Sequence, residues 1–113
     1  MPVVEHAVVA AAGMGSRMGL DMPKCLIEVG GRPLIAELLE RLAEVEDVRI
    51  VVGYDAARVM RAVKDLRRDV TFVVNPSYRM TTTLHSYVMG GAHLKAPALY
   101  MDCLLYTSDA ADE

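Results

Sequence analysis

Four short runs of β-branched and small apolar residues alternate with stretches of helical periodicity, and this alternation constrains the fold more than any other feature of the chain. Val3 to Ala12 is apolar apart from Glu5 and His6 and runs into Gly13-Met14-Gly15-Ser16, the pattern of a buried strand entering a glycine-rich turn. From Pro33 to Val45, Leu34, Ile35, Leu38, Leu39 and Leu42 recur at helical spacing, with Glu37, Glu40, Arg41 and Glu44 on the other side. That predicts an amphipathic helix with Pro33 in its first turn. Val48 to Val52, closed by Gly53, predicts a second strand, and Ala56 to Leu66 a helix with Val59, Met60, Val63 and Leu66 on one face. Val70 to Val74, closed by Asn75-Pro76, predicts a third strand, and Thr81 to Leu94 a third helix. Ala98 to Met101 predicts a fourth strand that ends at Asp102.

Strands separated by helices imply right-handed crossovers, so the expected fold is Rossmann-like α/β, a mostly parallel sheet with helices on both faces. In such sheets ligands bind beyond the carboxyl ends of the strands, here the segments after Ala12, Val52, Val74 and Met101. The length of 113 residues suits one domain with one core, and 53% apolar with 24% charged residues is the composition of a packed globular protein. A formal net charge of -3 argues against a nucleic-acid partner. No apolar run reaches the ~20 residues that span a bilayer, and Glu5 stands where a secretion signal needs basic residues, so the expectation is a cytoplasmic protein without a membrane partner. Cys25 and Cys103 are expected as reduced thiols, and His6, His85 and His93 lack the spacing of a zinc site.

The chemistry concentrates in Ala11-Ala12-Gly13-Met14-Gly15-Ser16-Arg17-Met18-Gly19, followed by Pro23-Lys24. Glycines there let backbone N–H groups approach phosphate oxygens, and Arg17 and Lys24 add fixed positive charge at the same mouth. The bare pattern is equally that of a tight strand-to-helix turn with two solvated cations. A dinucleotide turn of an NAD-linked oxidoreductase needs a third glycine where Met18 stands and an acid ~20 residues on at a strand end, and neither is present. The Gly-Lys-Ser/Thr of a Walker loop is absent as well.

Residues 7 to 35, AVVAAAGMGSRMGLDMPKCLIEVGGRPLI, resemble the signature of the nucleotidyltransferase superfamily, which includes sugar-phosphate nucleotidylyltransferases and MobA-like enzymes. The resemblance rests on A-A-G-x-G-x-R, the P-K dipeptide and G-x-P-L-I, and it extends over residues 3 to 102. It implies that Ala11, Ala12 and Gly13 border a nucleotide, and that Gly15, Ser16 and Arg17 wrap its β and γ phosphates. Lys24 is implied to contact the α-phosphate or the acceptor phosphate, making Arg17 and Lys24 the implied catalytic pair. Asp102 is implied as the first carboxylate of an Asp-x-Asp pair holding Mg2+, although the second aspartate is replaced by Leu104; without the resemblance it reads as a turn-capping aspartate.

Asn75-Pro76-Ser77-Tyr78 through Thr82-Thr83 to Ser86 resembles an N-P-x-Y-x-x-T-N-N-x-x-S element of phosphocholine cytidylyltransferase-like members, with threonines in place of two asparagines. That places Asn75, Tyr78, Thr82 and Thr83 in a substrate or base region, against the alternative of an ordinary helix cap. The implied reaction moves NMP from an NTP, with CTP favoured, onto a phosphorylated small molecule such as phosphocholine or a sugar 1-phosphate and releases pyrophosphate. The alternative is a non-catalytic NTP-binding module. On this reading residues 1–102 are the nucleotide-binding part of a truncated domain. Cys103 to Glu113, which resembles translated adapter sequence, is expected to be a foreign or disordered tail.

Overall fold

The computed structural model describes residues 5–13, 22–77, 83–92, 94 and 98–102, with the backbone alone for 83–85. In chain order these form β1 (His6–Ala11), a 3-10 turn (Lys24–Leu26), β2 (Glu28–Val29), β3 (Arg32–Pro33), α1 (Leu34–Arg41), β4 (Asp47–Val52), α2 (Ala56–Leu66), β5 (Val70–Val74), α3 (Thr83–Gly90) and β6 (Ala98–Asp102). The main sheet has the order β5-β4-β1-β6 and every neighbouring pair in it is parallel. The register sets His6 beside Asp47 and Ala98, and Ala10 beside Val51 and Asp102.

Helices cover both faces, as the alternating pattern predicts. Ala7, Val9 and Ala11 of β1 and Val48, Ile50 and Val52 of β4 are buried against Ile35, Leu39 and Leu42 from the α1 region and Val59 and Val63 of α2. Val8, Ala12 and Val51 face the other way, toward Tyr87 of α3 and Leu94. Burial on both faces is why β1 and β4 are continuously apolar where a one-sided strand would alternate. At Gly90 an added Cβ would lie 2.5 Å from Val8 Cγ1 and 2.9 Å from Val51 Cγ2, so the absent side chain lets α3 sit directly on the sheet.

α2 and β5 have the expected limits, β1 ends at Ala11 rather than Ala12 and β4 begins at Asp47 rather than Val48, while α1, α3 and the segment before α1 differ more. α1 stops at Arg41 rather than Val45, where the chain tightens so that the Val45 N–H donates to the Leu42 carbonyl at 3.0 Å. The Arg67 guanidinium at the end of α2 donates to the Leu42 carbonyl at 2.9 Å and also to the Val45 carbonyl, serving carbonyls at a helix end that have no partner within the helix. α3 ends at Gly90, four residues before Leu94, and Thr81 and Thr82 lie outside the described residues. Pro33 precedes the first turn of α1, with extended backbone, because it closes a β2–β3 hairpin that the helical pattern did not reveal. The hairpin turns through Gly30 and Gly31 at φ 65 and 85, values that L side chains rarely adopt. Among the described residues no helix is long and apolar enough to cross a membrane.

Candidate functional site

Because the strands are parallel, the segments leaving β1, β4, β5 and β6 share one edge of the sheet. Backbone hydrogen bonds continue past the strand ends and stitch these segments together. The Tyr54 N–H donates to the Ala12 carbonyl at 3.1 Å, and the Asn75 N–H to the Val52 carbonyl at 2.7 Å. The Lys24 N–H donates to the Gly13 carbonyl at 3.1 Å. That last bond brings the two ends of the glycine-rich segment together, so Lys24 stands at the mouth that succeeds β1.

Lys24 is held there by its neighbours. Cys25 and Leu26 are buried in the core, Pro23 is fully buried, and the Ile27 N–H returns to the Lys24 carbonyl at 3.2 Å. The 3-10 turn is therefore clamped from below while the Lys24 side chain remains partly exposed. Cys25 is a buried free thiol, in keeping with a packing role. At Gly13 an added Cβ would meet no atom within 4 Å among the described residues.

Of the expected site residues, Ala11, Ala12, Gly13, Lys24, Asn75 and Asp102 gather on this edge. Ala11 and Ala12 are buried, whereas Gly13 is exposed. Asn75 is buried, and its Oδ1 accepts the Ser77 N–H at 3.0 Å. Asp102 ends β6 with its side chain partly exposed, in register with Ala10. The Thr83 backbone opens α3. Gly15, Ser16, Arg17, Tyr78 and Thr82 lie outside the described residues, as do His93 and Cys103 to Glu113.

Sequence reasoning passed over the turn after β4. Tyr54 joins the edge through its bond to Ala12, and Asp55 holds the left-handed backbone at φ 50 from which α2 starts. The rule that ligands sit beyond strand ends was the available signal. At the opposite edge the His6 Nδ1 lies 2.7 Å from Asp47 Oδ2. Arg49 donates to Asp47 and to the carbonyls of Gly90 and Ala92, tying β4 to the end of α3. Among the described residues no group of three His, Cys, Asp or Glu side chains is arranged to hold a metal.

A parallel sheet sandwiched by helices, with a glycine-bearing loop closed onto a lysine at its carboxyl edge, defines an α/β protein of the nucleotidyltransferase fold. The chain belongs to the MobA-like NTP transferase family, whose domain matches residues 7–110. It is 45% identical over 73 residues to the bifunctional protein GlmU of Cupriavidus necator, a match covering 63% of this chain and 16% of that protein. It is 35% identical over 83 residues to 2-C-methyl-D-erythritol 4-phosphate cytidylyltransferase of Parasynechococcus marenigrum, covering 70% of this chain and 37% of the relative. The structure of LicC, the CTP:phosphocholine cytidylyltransferase of Streptococcus pneumoniae, superposes with a TM-score of 0.73 at 27% identity, over 88% of this chain and 45% of that one. The chain thus spans less than half the length of each of these three proteins.

Proposed function

We propose that residues 1–102 form the nucleotide-binding part of an enzyme that transfers NMP from an NTP to a phosphorylated small molecule and releases pyrophosphate. The observation that carries this reading is the Lys24 N–H bond to the Gly13 carbonyl, which joins the residues on either side of the Gly15-Ser16-Arg17 sequence at the carboxyl edge of the sheet. In this reading Ala11, Ala12 and Gly13 border the nucleotide, Gly15, Ser16 and Arg17 enclose the β and γ phosphates, and Lys24 meets the α-phosphate or the acceptor phosphate. Cations fixed there stabilise charge that grows as the new P–O bond forms. The acceptor phosphate is itself the nucleophile, so no serine or cysteine has to form a covalent intermediate.

Asp102 would hold Mg2+, which supplies charge neutralisation between phosphates. A partly exposed carboxylate at the ligand edge suits a hard ion that takes one or two protein carboxylates and fills its remaining positions with water and phosphate oxygens. CTP is the favoured donor because the relatives from Parasynechococcus marenigrum and Streptococcus pneumoniae are both named as cytidylyltransferases. Phosphocholine, another alcohol phosphate or a sugar 1-phosphate is the acceptor class, and the cytoplasm is the compartment where such substrates and NTPs meet.

The presence of one carboxylate rather than two at the end of β6 favours a second reading, an NTP-binding module without turnover. Calorimetric titration of the chain with CTP, UTP, ATP and GTP, each with Mg2+, tests what the two readings share. Saturable binding of at least one nucleotide is expected, and none at millimolar concentration overturns both. Magnesium-dependent pyrophosphate release by a version that spans the full length of the relatives then separates them.

A further inference from the structure

We infer that the outer face of α1 and α2 is where a second copy of this chain docks, forming a two-fold symmetric dimer on the side of the sheet away from α3. Each of these helices connects one parallel strand to the next, so both run from the carboxyl edge to the amino edge. Both bury their inner faces in the same core. Their exposed faces differ in sign. α1 and the turn after it present Glu37, Glu40 and Glu44, with Arg41 among them. α2 and its end present Arg58, Arg61, Lys64 and Arg68, with Asp65 among them. These positions recur every three or four residues, so the charges form one acidic and one basic stripe along neighbouring helices.

Contacts within the chain do not neutralise the two stripes against each other. Glu40 lies 3.3 Å from Arg32, Glu37 3.9 Å from Arg41 and Arg58 3.9 Å from Asp55, all at exposed surface where such pairs are weak. Glu44, Arg61, Lys64 and Arg68 have no ion-pair partner among the described residues. A two-fold axis parallel to the helices and between them lays α1 of one copy over α2 of the other, so acidic meets basic twice. An axis across the helices would set like charge on like, and repulsion disfavours it. The first axis preserves height along the helices, which brings Glu40 and Glu44 near Arg61 and Lys64 of the second copy. Between the helices lies a cleft of about 390 Å3 bordered by Leu39, Ala43, Leu66 and Arg67. It falls close to the axis, and Leu66, at 49% exposure, gives the interface an apolar centre inside a charged rim.

Sedimentation velocity of the full chain over a concentration series tests this, with circular dichroism confirming that each variant folds. The wild type is expected to pass from monomer to dimer as concentration rises, and to do so less readily in about 1 M NaCl, where the screening length falls to about 3 Å. Glu44→Lys, and separately Arg61→Glu with Lys64→Glu, alter exposed residues that are unpaired within the described chain. Each is expected to raise the dimer dissociation constant about tenfold, because every contact occurs twice across the axis. An equimolar mixture of the two variants re-matches the charges and should associate within about threefold of the wild type. Where the α2 double variant fails to fold, Lys64→Glu alone carries the test. A dimer that neither variant weakens, or that mixing does not restore, overturns this face as the interface. A chain that stays monomeric throughout overturns the dimer itself. Binding of anionic phospholipid vesicles by that monomer, lost in Arg61→Glu with Lys64→Glu, would then assign the basic stripe to a membrane surface instead.

Discussion

The backbone N–H of Lys24 donates to the carbonyl of Gly13 at 3.1 Å, so a residue beyond the glycine-rich loop is pinned to the residue that opens it. The side chain of Lys24 takes no part in that closure. Lys24→Ala should therefore leave Tm within about 3 °C of wild type, as expected for a partly exposed side chain. It should weaken NTP binding by about 10- to 100-fold, the value of one charge-assisted hydrogen bond. Calorimetry and thermal unfolding on the same two proteins check this, and equal affinities would remove Lys24 from the proposed phosphate site.

Turnover depends on more than binding. With Asp102 as the carboxylate at the end of β6, the chain is expected to bind NTP and yet release no pyrophosphate above background from mixtures of NTP, Mg2+ and phosphocholine or hexose 1-phosphates. Orienting two reactants contributes roughly 7 to 11 kcal/mol, and that contribution requires an ordered acceptor as well as a bound donor. Robust release with any pair would show that these residues suffice for catalysis.

Gly90 offers a stability test far from the ligand edge. A methyl group there meets Val8 and Val51, both fully buried and stiff about χ1, so Gly90→Ala should cost about 1–3 kcal/mol despite the better helix propensity of alanine. Urea unfolding measures it. An unchanged or raised midpoint would show that α3 can lift from the sheet without cost.

Arg67 and Asp69 supply a pH-dependent test. The hydrogen bond from Arg67 holds the exposed Asp69 carboxyl below its ordinary range, so the ionised form is favoured in the folded state. Stability from this pair is then present above the titration of an unfolded aspartate and is lost as pH falls through the lower folded value. The difference in Tm between wild type and Asp69→Asn should be measurable near neutrality and shrink as pH falls through the lowered folded value. Arg67→Met should cost more, about 1–3 kcal/mol, because it also strips a donor from the Leu42 and Val45 carbonyls.

What could be read from the sequence divides along the range of the interactions involved. α2 and β5 were legible to the residue because the α2 pattern ends on Leu66 and the β5 pattern on Asn75-Pro76, signals carried within each segment. The end of α1 was not, since the carbonyls just beyond it are served by a guanidinium from Arg67, more than twenty residues further on. The β2–β3 hairpin was hidden because two residues per strand show no alternation, although Gly30-Gly31 was a turn signal in plain view. Within the site, Gly13 and Lys24 stood out through glycine and charge, whereas the part played by Tyr54 depends on β4 lying next to β1, a matter of strand order.

Strand order also has a consequence for the growing chain. β1 pairs on one side with β4 and on the other with β6, so β1 receives its second neighbour only when residues 98–102 have been made. The layer formed by β1, β4, β5, α1 and α2 can assemble around Ile35, Ile50 and Val59 before then, as N-terminal parts commonly do during synthesis. Until β6 arrives, the N–H and C=O groups of Val8 and Ala10 that face it are an open template for any extended segment nearby. The interval between translation of residue 74 and residue 102 is thus the period in which a nascent copy is most exposed to pairing with the wrong strand.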